Sequence, residues 1–310
     1  MKPRVKLVLK VLLYPLVIAR RYIIKHYMIY LQTHDLKKLA GCIYRLNFGK
    51  RLNWKNPQNL SEKINWMKFN TDTTLWTELA DKYKVRAYVE DKGLKELLVE
   101  IYGVWEHAED IDFDLLPQSF VIKTNHACGT VLIVNDKSTL DIAKTRSLLN
   151  EWLTIEMGRE TAEPHYIGIK PLIIAEQYLS SLSGDSIIDY KLFVVDGTTE
   201  LVMVCSDRKI GVGAYISLYD NNWNFCPERL GASHLNDCVP PIDKPDNFEK
   251  MKEYAQILSE GIPFVRVDFY DVNGKVYFGE LTFTPKGGYC STLSDAESLR
   301  IGQKVKLPQR

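Results

Sequence analysis

Acidic side chains are missing from the first 31 positions, which carry seven Lys/Arg (Lys2, Arg4, Lys6, Lys10, Arg20, Arg21, Lys25) and no Asp or Glu. A net charge of +1 over 310 residues conceals this. The remaining chain holds 33 basic and 39 acidic residues, net −6, which argues against a nucleic-acid-binding body. A long apolar run is also lacking. The longest uncharged one, Val11–Ala19, falls well short of the roughly 20 residues that cross a bilayer, and no small-residue cleavage site follows it. The six cysteines form no C-x-x-C pair and the six histidines no metal-ligand spacing. That pattern gives a zinc site or disulfide framework little support and makes the reduced thiols of a cytosolic protein the expectation. Neither G-x-x-x-x-G-K-[ST] nor G-x-G-x-x-G occurs, so P-loop and Rossmann readings fail at their own signatures.

What is present is an average soluble composition, 45% hydrophobic and 25% charged, which rules out wholesale disorder, fibres and a polytopic membrane protein. Residues 1–31 read as a basic amphipathic segment with Tyr14, Tyr22, Tyr27 and Tyr30, suited to the interface of an anionic cytoplasmic leaflet. Pro15 is expected to divide it into two helices. Beyond it, Ser61 is the expected cap of a helix through EKINWMKF, and a second helix is expected over Leu75–Val89. Strands are expected at Ser119–Thr124 and Thr130–Asn135, around the loop NHACG, and a helix from Ser138 toward Gly158. Strands at Pro171–Tyr178, Asp189–Asp196 and Thr199–Ser206 precede a helix capped by Asp246. The last pair, Phe264–Asp271 and Lys275–Phe283, flanks Asn273-Gly274. Strand pairs broken by single helices, without a regular βαβ repeat, indicate an α+β protein.

Four constellations could carry chemistry. Lys123 ends a strand facing the small-residue loop Asn125–Thr130, a place where a phosphate could meet an ammonium and backbone amides. Glu176 follows the apolar strand PLIIA, and Asp189-Tyr190-Lys191 opens the next strand with a second phosphate-directed lysine. In the final hairpin, Arg266, Asp268, Glu280 and Thr282 are all even-numbered, so each strand presents its pair on one face. The two pairs share a face only if the loop allows it. A two-residue turn would set Val267 opposite Glu280, whereas a three-residue loop, Val272-Asn273-Gly274, sets Arg266 opposite Glu280. The expectation is therefore the three-residue bulged loop, bringing two carboxylates and a guanidinium together for Mg²⁺ and a developing oxyanion.

Taken in order, Asp81-Lys82, SFVIK with its loop, IIAEQYL, DYKLFVVDG and VRVD…YFGELT resemble an ATP-grasp enzyme. The wording of NPQNLSEKINWMKFN, DKYKVRAYV and DFDLLPQSFVIKTNHACGT is similar to the teichuronopeptide-biosynthesis (TupA-like) ATP-grasp family, from about Gly49 through Pro308. The resemblance implies an ATP-grasp fold in which two α+β subdomains (115–175 and 176–310) clasp ATP. A helical region (32–114) and the basic segment (1–31) precede them. It further implies that Lys82 and Lys123 bind ATP phosphates under the loop carrying His126, Gly129 and Thr130, with Glu176 at the adenine hinge. Lys191 would contact phosphate or acyl phosphate, Asp268 and Glu280 would hold Mg²⁺, and Arg266 would stabilise the tetrahedral intermediate. Thr282 stands where many relatives place a metal-binding Asn, and the phosphate loop has one glycine, which leaves closure to His126. The implied reaction joins a carboxylate to an amine through an acyl phosphate. The implied substrates are ATP, an amino acid or amine, and a glycan bearing uronic-acid or other carboxylates, met by a peripheral protein on the inner membrane face. The rival reading is a glycosyltransferase using Asp112-Phe113-Asp114 as a D-x-D metal site.

Overall fold

A computed structural model describes residues 3–182, 187–209, 213–239 and 241–308. In chain order the helices are α1 (Pro3–His34), α2 (Leu36–Phe48), α3 (Leu60–Asn70), α4 (Thr74–Ala80), α5 (Val85–Asp91), α6 (Ile142–Leu153), α7 (Pro164–Ile167), α8 (Phe248–Leu258) and α9 (Asp295–Lys304). The strands are β1 (Ile101–Trp105), β2 (Phe120–Thr124), β3 (Val131–Val134), β4 (Ile173–Gln177), β5 (Asp189–Val195), β6 (Thr198–Lys209), β7 (Gly213–Tyr219), β8 (Phe264–Val272) and β9 (Lys275–Thr282). They form two antiparallel sheets, ordered β1-β4-β2-β3 and β7-β6-β5-β8-β9. The α+β class expected from the sequence is what the protein has.

The five-stranded sheet is built around β5, buried along its whole length between β6 and β8. One face carries Leu192, Val202, Val267 and Leu281, part of a core shared with Leu60 and Ile64 of α3, Met251 and Ala255 of α8, and Ile301 of α9. That burial leaves the opposite face of β5, β8 and β9 to hold polar groups. The smaller sheet packs Ile122, Ile173 and Ala175 against Leu149 of α6, a separate core. Its other face carries Lys123 and Glu176, diagonal neighbours on β2 and β4.

Several local expectations are corrected. Pro15 does not split the leader: α1 runs unbroken from Pro3 to His34. An internal proline removes one backbone bond, about 3 kcal/mol, and the flanking turns continue past it. The cap of α3 is Asn59, not Ser61: Asn59 accepts from the Glu62 amide and Glu62 returns the bond, a capping box. Ser61 instead faces inward and accepts from the Cys290 amide. The single helix over Leu75–Val89 is two, because Asp81 turns extended and its carboxylate accepts from the Tyr83 and Lys84 amides. Asp141, rather than Ser138, caps α6, which ends at Leu153 before Gly158. Asn247, not Asp246, precedes α8. β1, β7 and α9 carry no expected counterpart. All six cysteines are free thiols.

Candidate active site

The hairpin β8–β9 does not use the expected three-residue loop. Val272 pairs with Lys275, so Asn273-Gly274 is a two-residue turn, both residues left-handed with φ of 55° and 79°. Continued in that register, Glu280 would face away from Asp268. The strand corrects itself at Gly279: Phe269 pairs with Phe278, but the next pair is Asp268 with Glu280, so Gly279 is an extra residue in β9. A Cβ there would meet the Asp268 carbonyl oxygen at 3.0 Å and the Tyr270 ring at 3.2 Å, which is why the bulge residue is glycine. The sequence carried this signal, an isolated glycine inside a strand pattern.

With the bulge in place, one cross-strand row reads Lys191 (β5), Asp268 (β8), Glu280 (β9), and the next reads Phe193, Arg266, Thr282. The guanidinium of Arg266 is a fork on its neighbours. Nε donates to Asp268 Oδ1 at 2.7 Å, and Nη2 donates to Asp268 Oδ2 (2.6 Å), Glu280 Oε1 (2.9 Å) and Thr282 Oγ1 (3.0 Å). Nη1 has no hydrogen-bond partner among the described residues. Lys191 Nζ donates to Asp268 Oδ2 at 2.5 Å, and the Thr282 hydroxyl donates to Glu280 Oε1 at 3.0 Å.

The charges respond to one another. Burial is the largest influence on Lys191 and would lower it, but Asp268, Asp189 and Glu280 together prevail over burial and Arg266, and the ammonium is held above its ordinary value. Burial would raise Glu280, yet Arg266, Lys82 and Lys191 hold its carboxyl down at about 2. Lys82 is lowered, first by burial, with Glu280 opposing and Lys123 reinforcing. Lys82, Lys123 and Glu280 therefore face a common space, although they come from the α4–α5 junction and from different sheets.

The small-residue loop closes that space. Asn125 is its root, with its side chain donating to Lys170 O (3.0 Å) and accepting from the Leu172 amide (2.7 Å). Thr124 and Thr130 hydroxyls meet at 2.6 Å across its neck. Lys82 Nζ donates to Ala127 O at 2.7 Å, so in this state Lys82 braces the loop. His126 is 2% exposed and bonds Ile155 O at 3.1 Å through Nε2, and burial lowers its pKa. It anchors the loop from below, while Cys128 and Gly129 (φ 79°) form the exposed tip. Lys123 pairs with Glu176 on the half-buried face of the smaller sheet away from Leu149.

Residues that the sequence reading did not single out also enter the site. Tyr166 in α7 is raised, first by burial and then by Glu280 and Glu163, which places it at the edge of the carboxylates. Glu163, buried, accepts from the Thr161 and Thr284 hydroxyls. No periodicity marks this stretch; only the compact run Glu163-Pro164-His165-Tyr166 hints at it. Asp112, by contrast, accepts from the Asp114 amide at 3.0 Å and caps a short turn. That turn packs toward α6 through Phe113 and Arg146, on elements that supply none of the hairpin residues.

Asp268 and Glu280 offer hard oxygen donors side by side. Mg²⁺ takes one or two carboxylates and completes its shell from water and substrate phosphates, so the pair fits that ion. Both Asp268 oxygens are already engaged by cations, and an ion would share them with Arg266 and Lys191. Among the described residues no group of three or more His, Cys, Asp or Glu forms a self-sufficient metal cage.

Comparisons with known proteins give one family: the model described as TupA-like ATPgrasp matches residues 62–306. A search of curated proteins returns no match. Among solved structures, the chain is similar to a D-alanine–D-alanine ligase from Bacillus anthracis complexed with ATP, with 14% identity, TM-score 0.46, and coverage of 80% of this chain and 67% of that one. It is similar to the Helicobacter pylori D-alanine–D-alanine ligase at 16% identity and TM-score 0.41, covering 74% of this chain and spanning only 61% of that enzyme. The D-cycloserine synthetase DcsG gives 14% identity, TM-score 0.42, and coverage of 74% and 70%.

Proposed function

Because the chain belongs to the TupA-like ATP-grasp family, we propose that it is an ADP-forming carboxylate–amine ligase whose site is the polar face of β5, β8 and β9. The observation that carries this reading is the double row Lys191–Asp268–Glu280 and Arg266–Thr282, registered by the Gly279 bulge. The smaller sheet, β1 to β4, and the larger sheet serve as the grasping halves, with Glu176 near the end of β4 at the hinge beside the adenine.

In this reading a substrate carboxylate oxygen attacks the γ-phosphorus of ATP, releasing ADP and leaving an acyl phosphate. The amine then attacks the acyl carbon, and phosphate departs as the amide forms. Lys123 and Lys191 neutralise phosphate charge, as does Lys82 from its place under the loop, and the loop amides around Gly129 close over the phosphates. Arg266, with two edges fixed by Asp268, Glu280 and Thr282, offers Nη1 to the oxyanion of the tetrahedral intermediate without reorganising. Asp268 and Glu280 would hold Mg²⁺, which supplies charge neutralisation at the phosphates, with Thr282 orienting Glu280 through its hydroxyl.

The leader supports a location. No described helix is long and apolar enough to cross a membrane. Yet α1 exposes Ile18, Tyr22, Ile23, Tyr27, Ile29 and Tyr30 beside the exposed cations Arg21 and Lys25, and its C-terminal end packs on α2 through Met28 and Leu31. An apolar, aromatic and basic helix of this kind favours an anionic cytoplasmic leaflet. That setting, with the family resemblance, supports a lipid-linked surface polysaccharide bearing carboxylates as the acceptor. The test is ADP release across uronic acids and amino acids. Asp268→Asn and Glu280→Gln should each abolish it, while Asp112→Asn should leave it intact. The opposite pattern, with nucleotide-sugar hydrolysis, would make the protein a glycosyltransferase.

A further inference from the structure

Helix α3 turns a polar stripe inward. Ser61, Asn65 and Lys68, spaced four and three residues apart, are 1%, 0% and 2% exposed. All three bind the backbone of one segment: Ser61 Oγ accepts from the Cys290 amide (3.0 Å), Asn65 Nδ2 donates to Gly288 O (2.8 Å), and Lys68 Nζ donates to Gly287 O (2.9 Å). This segment is the turn Pro285–Gly288 with the two residues after it, and it begins just beyond Thr282 at the end of β9. From the other side Glu163 accepts from Thr284.

The turn is costly. Lys286, Gly287 and Gly288 are consecutively left-handed, with φ of 54°, 72° and 84°. The two glycines are required, since a Cβ on Gly288 would lie 3.0 Å from Ile64, but Lys286 pays the side-chain penalty of roughly 1–2 kcal/mol. Lys68 adds a desolvated ammonium that makes no ion pair among the described residues. Burial pushes it down to about 7, with Glu163 opposing. A glycine at 286 and a methionine at 68 would relieve both costs. Strain and desolvation gathered at one turn beside an active site point to a use for its geometry.

Lys286 is also distinct among the nearby cations. Arg266, Lys191 and Lys123 each face a carboxylate and Lys82 bonds Ala127 O. Lys286 is exposed and makes no ion pair or side-chain hydrogen bond among the described residues. We propose that this turn is the docking point for the anionic end of the carboxylate-bearing substrate, with the Lys286 ammonium in contact and Asn65 and Lys68 as positioning residues. The proposal rests on the ligase reading.

Steady-state ADP release by the full chain, with oligogalacturonate as the acid and an amino acid as the amine, tests it. Lys286→Met and Lys286→Gly should each raise KM for oligogalacturonate at least tenfold, with KM for ATP within twofold, and Lys286→Arg should recover most of the loss. Lys286→Gly relieves the strain, so a loss there reports the side chain rather than folding. Asn65→Ala and Lys68→Met should raise the same KM without raising that for ATP. Unchanged KM in both the Met and Gly variants of Lys286 overturns the contact, and an equal rise in both constants for Lys68→Met overturns the positioning role. If the wild type releases no ADP with any acid and amine, the ligase reading fails by itself. Acetylation of Lys286 followed by peptide mass spectrometry then decides the docking point: at least fivefold protection by oligogalacturonate sustains it, and unchanged reactivity overturns it.

Discussion

Asp268 is shared between Arg266 and Lys191, and both of its oxygens are bonded while the side chain is 2% exposed. Removing one member of such a set leaves a buried charge short of a partner, at about 3–5 kcal/mol. Arg266→Met should therefore lower the unfolding free energy by roughly 3 kcal/mol in urea melts, in addition to abolishing turnover. His165 makes a separate prediction. It is 1% exposed, its Nδ1 has no partner, and burial followed by Lys68 holds its pKa at about 3. The folded pKa lies below the unfolded value of 6.5, so below pH 6.5 the unfolded chain takes up a proton that the folded chain does not. Stability should fall from pH 6.5 toward about 3, each unit of displacement being worth about 1.4 kcal/mol. Glu280, also depressed, adds a second loss below 4.5 and through about 2. Thermal melts of His165→Asn should flatten the upper part of this acid limb and keep the lower part.

At the scale of elements, the hairpin shows what sequence parity can and cannot decide. The even numbering of Arg266, Asp268, Glu280 and Thr282 correctly set each pair on one face of its strand. Joining the pairs required an odd correction somewhere in the hairpin, and the loop is the wrong place for it. Asn-Gly favours the two-residue turn because both positions accept φ > 0, and the correction falls at Gly279, where only glycine fits against the Asp268 carbonyl. Inserting one residue between Gly279 and Glu280 should move Glu280 and Thr282 one position along β9 and turn them to the other face. The measurement is ADP release, expected to vanish, whereas Gly279→Ala should fold with a loss of about 1–3 kcal/mol. Strand positions were legible because β-branched runs alternate or are fully buried. Helix ends were less so, because the sequence offers several cap residues in a row. Asn59 takes α3 from Ser61 since only Asn59 has Glu62 three residues on. The contribution of Lys68, Glu163 and Tyr166 was not legible, since it depends on contacts between residues far apart in the chain.

The whole molecule is a basic helix attached to an acidic body in which Arg266, Lys82 and Lys191 gather around Glu280. If α1 seats the protein on anionic lipid, the full chain should float with vesicles containing phosphatidylglycerol and not with phosphatidylcholine alone. Arg21→Gln with Lys25→Gln should weaken that partition by about 2 kcal/mol, or roughly thirtyfold. Vesicle binding that is equal on neutral lipid, or unaffected by the double change, would remove the electrostatic part of the account. The central claim concerns the polar face of β5, β8 and β9 as a Mg-nucleotide site, and thermal unfolding with and without Mg-ATP tests it most directly. At about 100 times the dissociation constant, ligand adds about 2.7 kcal/mol. The account predicts a rise in Tm of roughly 5 °C for the wild type, lost in Glu280→Gln. An unshifted wild-type melt, or an equal shift in Glu280→Gln, would contradict it.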